Sequence, residues 1–152
     1  MAVDLTLLKK LRIETSAGIA DCRIALEETK GDYKKALDWI RKKGLEKAAK
    51  KSDRETPQGL VESYIHQNGR VGALVEVLCE TDFVARTDVF KNLVHEICMQ
   101  AAAMNLKDVK TLLSQDYIRD ASKKVEDLVK EAIAKLGENI VVKKLQRFEI
   151  GE

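Results

Sequence analysis

The sequence predicts an α+β protein, in which a helical segment precedes a core of antiparallel strands and helices. Apolar residues recur at helical spacing through the first fifty residues. From Gly59 the pattern changes to β-branched and aromatic runs, and further on it returns to helical spacing. A hydrophobic fraction of 45% and a charged fraction of 34% are typical of a globular chain with a core of its own.

The first fifty residues are predicted to form three short helices. Residues 15–18, the pair Gly31-Asp32 and Gly44 are expected to separate or end them, because glycine and small polar residues cap helices. The following stretch is highly charged and contains Pro57, which disfavours helix just before it. We therefore predict a helical module over residues 1–50, a linker over 51–58, and an α+β core over 59–152.

Two strands are predicted at the start of the core. The runs 60–66 and 71–79 are separated by a segment centred on Asn68-Gly69, which is a strong β-hairpin signal. The second run is apolar on nearly both faces, as in a strand covered on both sides. It is therefore expected to be the central strand.

The rest of the core is predicted to contain two amphipathic helices and a terminal strand. Thr87-Asp88 can cap the first helix, and the second stops at Gly137. Residues 140–150 have strand composition, but their apolar positions change parity between Val142 and Leu145. A β-bulge or a second pairing partner is expected there.

Charge and hydropathy argue against several partners. The 27 Lys and Arg residues nearly balance the 25 Asp and Glu residues, so no nucleic-acid or membrane partner is expected. No apolar stretch approaches the roughly 18 residues that span a bilayer, and no secretory signal is evident, so a cytoplasmic protein is expected. The basic residues around 41–51 are interpreted as a solvated helix end.

No catalytic or cofactor constellation stands out. The chain lacks the glycine-rich loops that cradle phosphates, and neither His66 nor His95 lies in a nucleophile signature. Cys22, Cys79 and Cys98 lack CxxC spacing and are expected to be reduced, mostly buried thiols. We expect a protein that is not an enzyme and that needs neither a cofactor nor a metal.

The loop after the predicted central strand has two interpretations. In the first, Thr81 or Asp82 caps a helical turn while Phe83 and Val84 fold onto the core. In the second, Phe83 is exposed and anchors a partner. The local pattern favours the first interpretation and leaves the second open.

Short, distinctive segments occur along nearly the whole chain in a fixed order. The most specific is Cys79-Glu80-Thr81-Asp82-Phe83-Val84-Ala85-Arg86. The others are Leu11-Arg12, Thr15-Ser16-Ala17-Gly18, Asp21-Cys22, Ala25-Leu26, Gly31-Asp32, Lys43-Gly44, Ala48-Ala49-Lys50-Lys51 and Ile133-Ala134-Lys135-Leu136-Gly137-Glu138-Asn139-Ile140.

In these residues and in this order, the segments resemble the bacterial elongation factor Ts family, and the resemblance implies a fold and a function. The N-terminal module is expected to be similar to ubiquitin-associated domains. The protein is expected to be a guanine-nucleotide exchange factor that binds elongation factor Tu in its GDP form and promotes GDP release. Thr81, Asp82, Phe83 and Val84 are implied to disturb the partner's Mg²⁺ and phosphate site. A second contact is implied around Arg12, Ile19 and Ala20.

Two departures from the family pattern bear on these expectations. Ser16 stands where the family usually has glycine, which affects the local backbone. The chain also has no counterpart of the second core half, extra helices and C-terminal module of the longer members. It therefore resembles the short members, which look like homodimers, and we expect dimerisation through the C-terminal strand region. The alternatives are a helical adaptor that binds another protein through its N-terminal module, and a basic RNA-associated module.

Overall fold

The computed structural model describes residues 2–106 and 108–152. It confirms the α+β class, with the helical module first and the antiparallel sheet after it. The elements are α1 (Leu5–Thr15), α2 (Ile19–Glu28), α3 (Tyr33–Ala49), β1 (Gln58–Ile65), β2 (Val71–Cys79), α4 (Asp82–Ala85), α5 (Asp88–Ala103), α6 (Val109–Ser114), β3 (Asp116–Tyr117), β4 (Asp120–Lys124), α7 (Val125–Leu136) and β5 (Ile140–Glu149).

Helices α1 to α3 pack around a small apolar cluster of their own. Helix α2 ends at its C-cap Thr29, after which Lys30 and Gly31 have φ 54° and 81°, and the Asp32 carboxylate accepts a hydrogen bond from the Lys35 amide at 3.1 Å. The predicted turn at Gly31-Asp32 is thus confirmed. The cluster contains Leu8, Leu11, Cys22, Ala25, Leu26, Ala36 and Ile40.

Ser16 ends α1 in the left-handed conformation, with φ 56° and ψ 14°. A residue with a Cβ pays about 1–2 kcal/mol there, whereas glycine does not. Ser16→Gly is therefore expected to raise the free energy of unfolding in urea by about 0.5–1 kcal/mol, after the extra chain entropy of glycine is subtracted. Ser16→Ala keeps the Cβ and should show no gain; equal stability of the wild type and Ser16→Gly would contradict the prediction.

Helix α3 does not end at Gly44, as the sequence had suggested, but continues to Ala49. Gly44 lies where α3 crosses α7, and a Cβ built on it would stand 3.2 Å from the Ala134 Cβ. Its small size therefore allows the two helices to approach, and the gain in packing outweighs its low helix propensity. The end of α3 also contributes Ala48 to the main core.

The sheet has the strand order β1-β2-β5, with every pair antiparallel. The predicted hairpin and the central position of β2 are both confirmed. The parity change in β5 is a β-bulge: Glu76 pairs with Lys144 and Val77 with Val142, so Lys143 is the extra residue.

Helices α5 and α7 cover one face of this sheet. The Thr87 hydroxyl caps α5 by accepting from the Phe90 amide at 3.2 Å, and Gly137 ends α7 with φ 75°, as predicted. Inward-facing Val75 and Val77 of β2 are almost fully buried. The main core also includes Cys79, Phe90, Leu93, Val94, Ile97, Cys98, Ala101, Leu112, Val125, Val129, Ala132, Ile133, Ile140 and Val142.

The opposite face of the sheet leaves several large apolar side chains exposed. Leu74 in the middle of β2 is 45% exposed, although the sequence predicted a strand covered on both sides. That prediction is wrong for the single chain, because the helices that pack on the sheet bury the face that carries Ala73, Val75 and Val77 and leave Leu74 half-exposed. Val61, Ile65 and Phe148 are exposed on the same outer face. We call the surface formed by Leu74, Val61, Ile65 and Phe148 the outer sheet face.

The short α6 and the β3–β4 hairpin were not predicted. The buried Gln100 of α5 holds the hairpin: its Nε2 donates to the Asp116 carbonyl and its Oε1 accepts from the Ile118 amide, both at 3.0 Å. A two-residue strand stabilised by one distant side chain leaves no periodic signal in the sequence.

Candidate partner-binding site

The loop that leaves β2 folds into the single helical turn α4. Thr81 is its N-cap, since its side-chain oxygen accepts a hydrogen bond from the Val84 amide at 3.3 Å. Val84 and Ala85 are each only 5% exposed and pack into the main core. The inward side of α4 therefore fixes the turn against the sheet and α5.

The outward side of the same turn carries an aromatic and an acid. Phe83 is 78% exposed, and among the large hydrophobic residues that the structure describes only Ile13 is more exposed. Asp82 is also exposed and lies 3.2 Å from the Arg86 guanidinium, one turn along. The first interpretation of the loop is thus right for Thr81 and Val84, and the second for the exposure of Phe83.

The start of the loop is tied to the end of α7 by one carboxylate. Glu138 Oε1 accepts from the backbone amides of Glu80 at 3.1 Å and Thr81 at 2.9 Å. Glu138 Oε2 accepts from the Thr81 hydroxyl at 2.7 Å. Sequence reasoning missed this role, because 57 residues separate Glu138 from Thr81. The available signal was its place in the family segment 133–140.

Cys79, at the end of β2, is buried beneath this loop. Its thiol donates to the Thr81 carbonyl at 3.2 Å. Burial, and then the nearby Glu138 carboxylate, raises the pKa of the Cys79 thiol. Cys79 therefore remains a neutral thiol at neutral pH and helps to hold the loop.

The predicted N-terminal contact residues lie on both sides of the α1–α2 turn. Arg12 is on the last turn of α1, and Ile19 and Ala20 begin α2; all three are exposed, Ile19 by 57%. Ile13 beside them is 82% exposed and was not predicted. The end of α1 and the start of α2 together expose the apolar Ile13, Ile19 and Ala20, with the charged Arg12 and Glu14 on the same stretch of α1.

Reactive groups are not concentrated at either place. Over residues 2–106 and 108–152, no group of three or more His, Cys, Asp or Glu side chains could hold a metal ion. In the same residues, no helix is long and apolar enough to cross a membrane. The buried Cys98 of α5 is not a reactive thiol either, because burial raises its pKa to about 11. What the two places offer is exposed surface for contact with another molecule.

The comparisons with known proteins match the same family. Residues 80–152, from the loop onwards, match the family described as Elongation factor TS. The Elongation factor Ts of Coprothermobacter proteolyticus is 43% identical over 197 aligned positions, which cover all of both chains. That of Thermoanaerobacter sp. (strain X514) is 45% identical over 190 positions, covering 95% of this chain and 93% of the relative.

A cyanobacterial relative aligns differently. The Elongation factor Ts of Nostoc sp. is 50% identical over 144 positions, covering 95% of this chain but 45% of its own length. The Thermoanaerobacter alignment, by contrast, is longer than the 152 residues of this chain. That relative therefore contains residues with no counterpart here.

Together with the α+β fold and the loop of residues 79–86, these matches define a translation elongation factor, with a role in protein synthesis at the elongation step. The chain belongs to the elongation factor Ts family.

Proposed function

We propose that this protein is a guanine-nucleotide exchange factor for elongation factor Tu. It binds the GDP form of that GTPase and promotes GDP release through contacts alone, without being an enzyme and without a cofactor. The observation that carries the proposal is Phe83, a large aromatic side chain that is 78% exposed on a fixed helical turn. Exposed aromatics held rigidly are typical anchors of protein interfaces.

The mechanism follows from how GTPases hold a nucleotide. Mg²⁺ and a cradle of backbone amides neutralise the phosphate charge. A wedge that enters this site and displaces a metal ligand or a cradle peptide removes stabilisation from GDP. Phe83 supplies the bulk of the wedge and Asp82 supplies a negative charge that repels phosphate and competes for the metal.

Asp82 can change partners at little cost. Its ion pair with Arg86 is exposed on both sides, with side-chain exposures of 64% and 78%. Exposed pairs of this kind contribute about 0–1 kcal/mol, so breaking it on complex formation is a small penalty. The acid is therefore available to the partner.

Release of the factor follows from linkage. A factor that weakens GDP binding must itself be bound less tightly when nucleotide is present, by the same free energy. GTP loading therefore weakens the complex and returns the factor to the next molecule.

The N-terminal module provides a second contact in this proposal. Arg12, Ile19 and Ala20 are exposed at the α1–α2 turn, and their apolar surface can dock a helix of the partner's GTPase domain. This contact adds affinity away from the wedge. It can hold the initial complex before Phe83 enters the nucleotide site.

We further propose that two copies associate through the C-terminal strand region, with their outer sheet faces packed together. The face combines Leu74 of the central strand with Val61, Ile65 and Phe148, all of them exposed. Gly72 lies between Ile65 and Phe148 in the register, and the Ile65 side chain leans over it. Stacking two such sheets would give the second cover that the apolar sequence of β2 predicts.

The charges on this face suit a second copy of the same chain. Glu76 and Lys144 are paired across β2 and β5 on the outer face, so both signs are present in one row. A two-fold contact brings the same surface of each copy together, and a face with adjacent opposite charges can complement itself. An all-acidic or all-basic face could not.

The test of the exchange function is release of fluorescent GDP from elongation factor Tu, followed after addition of this protein and excess unlabelled GDP. The proposal expects acceleration that saturates with increasing factor. An adaptor or an RNA-associated module would leave the release rate unchanged, and RNA binding would fall steeply with salt. An unchanged release rate over the full concentration range would overturn the proposal.

A further inference from the structure

The segment around Glu138 has a second set of contacts that the proposed function does not yet use. The Asn139 amide donates to Glu80 Oε2 at 3.1 Å, while Glu138 accepts from the Glu80 and Thr81 amides. Each pair of neighbouring residues, Glu80-Thr81 and Glu138-Asn139, therefore accepts backbone hydrogen bonds from the other pair through one glutamate carboxylate. We call these four residues, Glu80, Thr81, Glu138 and Asn139, the loop bracket.

The bracket also reaches the segment between α3 and β1. The Asn139 side chain, in a residue only 3% exposed, donates to the Arg54 carbonyl at 2.9 Å and to the Ser52 carbonyl at 3.4 Å. The Arg54 guanidinium lies 3.6 Å from Glu80 Oε2. The connection to the N-terminal module is thereby tied to the loop that carries Phe83.

Glu138 is badly placed for the stability of its own helix. It directly follows Gly137, the residue that caps the C-terminus of α7. A negative charge there opposes the helix dipole and is mildly destabilising. Its position is explained by the loop instead, since its two oxygens accept three hydrogen bonds from residues 80 and 81. Local rules are commonly broken in this way where a site must be held.

The contacts fix the orientation of the turn as well as its place. The Thr81 hydroxyl donates to Glu138 and accepts from the Val84 amide, so its rotation is determined at both ends. Thr81 in turn sets the direction of α4, and with it the exposed faces of Asp82 and Phe83. A wedge that must enter a partner's nucleotide site gains from such pre-organisation, because less conformational freedom is lost on entry.

We propose that Glu138 is a positioning residue for nucleotide exchange: it orients α4 so that Phe83 and Asp82 enter the partner's nucleotide site. This inference rests on the proposed exchange function. The N-terminal contact can form the initial complex without the wedge, whereas GDP release needs the wedge in place. Loss of Glu138 therefore lowers the maximal rate of release and leaves the half-saturating factor concentration nearly unchanged.

The experiment compares Glu138→Ala with Glu138→Gln in the fluorescent-GDP release assay. The alanine variant loses all three hydrogen bonds, and its maximal rate is expected to fall about tenfold, with half-saturation within about twofold of the wild type. The glutamine variant keeps an oxygen for the two amides and an NH₂ for the Thr81 hydroxyl, so it should restore most of the rate. Glu46→Ala, an exposed glutamate of α3, is the matched control and should be silent.

A double variant tests whether Glu138 acts through Phe83. In a Phe83→Ala background the contribution of Phe83 is already lost and only Asp82 remains to be positioned, so Glu138→Ala should slow release much less than it does in the wild type. Additive slowing, an unimpaired Glu138→Ala variant, or a glutamine variant as slow as alanine would each overturn the proposal. If Glu138→Ala does not fold, Glu138→Asp keeps the charge but withdraws the oxygens by one methylene, and should show the same rate loss to a smaller extent.

Hydrogen exchange in the free protein separates this inference from the exchange function. The Glu80 and Thr81 amides should lose protection in Glu138→Ala and keep it in Glu138→Gln. If the wild type fails to accelerate GDP release, the proposed function fails, and the exchange role of Glu138 fails with it. If the wild type is active but these amides remain protected in Glu138→Ala, the positioning role alone is wrong.

Discussion

Phe83→Ala is expected to slow GDP release from elongation factor Tu by about 30-fold or more, because truncating an interface anchor costs about 2 kcal/mol or more. The free energy of unfolding should be nearly unchanged. Phe83 is 78% exposed, so its removal opens no cavity, and the neighbouring Val84 and Ala85 keep α4 on the core. The measurement is fluorescent-GDP release, with thermal unfolding recorded on the same preparation.

Ile118→Ala is the matched control for this experiment. Ile118 is a large apolar residue that is 51% exposed and lies in the β3–β4 connection, which belongs to none of the three proposed contact surfaces. It should leave the release rate unchanged. Normal exchange by Phe83→Ala together with a lowered unfolding temperature would mean that Phe83 serves the core, and the wedge would have to be assigned elsewhere.

The fold was predictable where a local pattern and tertiary packing agree. Asp32, Thr87 and Gly137 are caps whose chemistry is local, and each appears where the sequence predicted it. The prediction that a helix ends at Gly44 was wrong for the converse reason, because the role of this glycine depends on tertiary packing. Its function is the close approach of α3 to α7, and the partner residue, Ala134, lies ninety residues away in the chain.

The site was predictable only in part. Thr81 as a cap follows from residue type, but the local pattern could not say which of Phe83 and Val84 turns inward, because a single helical turn has no periodicity to read. The family resemblance supplied the role proposed for Phe83. Glu138 could not be assigned from spacing at all, since its hydrogen bonds join two segments that only the folded sheet brings together.

The same limit applies to the outer sheet face. The sequence of β2 correctly indicated apolar residues on both sides, yet the fold of one chain covers only one of them. Leu74, Val61, Ile65 and Phe148 together form an apolar patch, and the proposed second copy would cover it. The pattern in β2 therefore describes the proposed assembly better than it describes the single chain.

Leu74→Asp is expected to convert a dimer into a monomer. Leu74 lies at the centre of the outer sheet face, between Ser63 and Gln146 in the register, and a second copy would bury it. A buried carboxylate without a partner costs several kcal/mol for each copy, so the dissociation constant should rise more than about a thousandfold. The free chain tolerates the change better, because a residue that is 45% exposed leaves the new charge in contact with water.

Light scattering distinguishes the dimer from the monomer. The wild type should give twice the chain mass of 17.1 kDa at micromolar concentration, and Leu74→Asp should give the single mass. Val89→Asp is the matched control, because Val89 is 42% exposed but lies on the first turn of α5, away from the sheet face. A wild type that is monomeric at this concentration would contradict the dimer, and a dimeric Leu74→Asp would move the interface off this face. Circular dichroism of each variant separates loss of assembly from loss of fold, since an intact sheet is required for either conclusion.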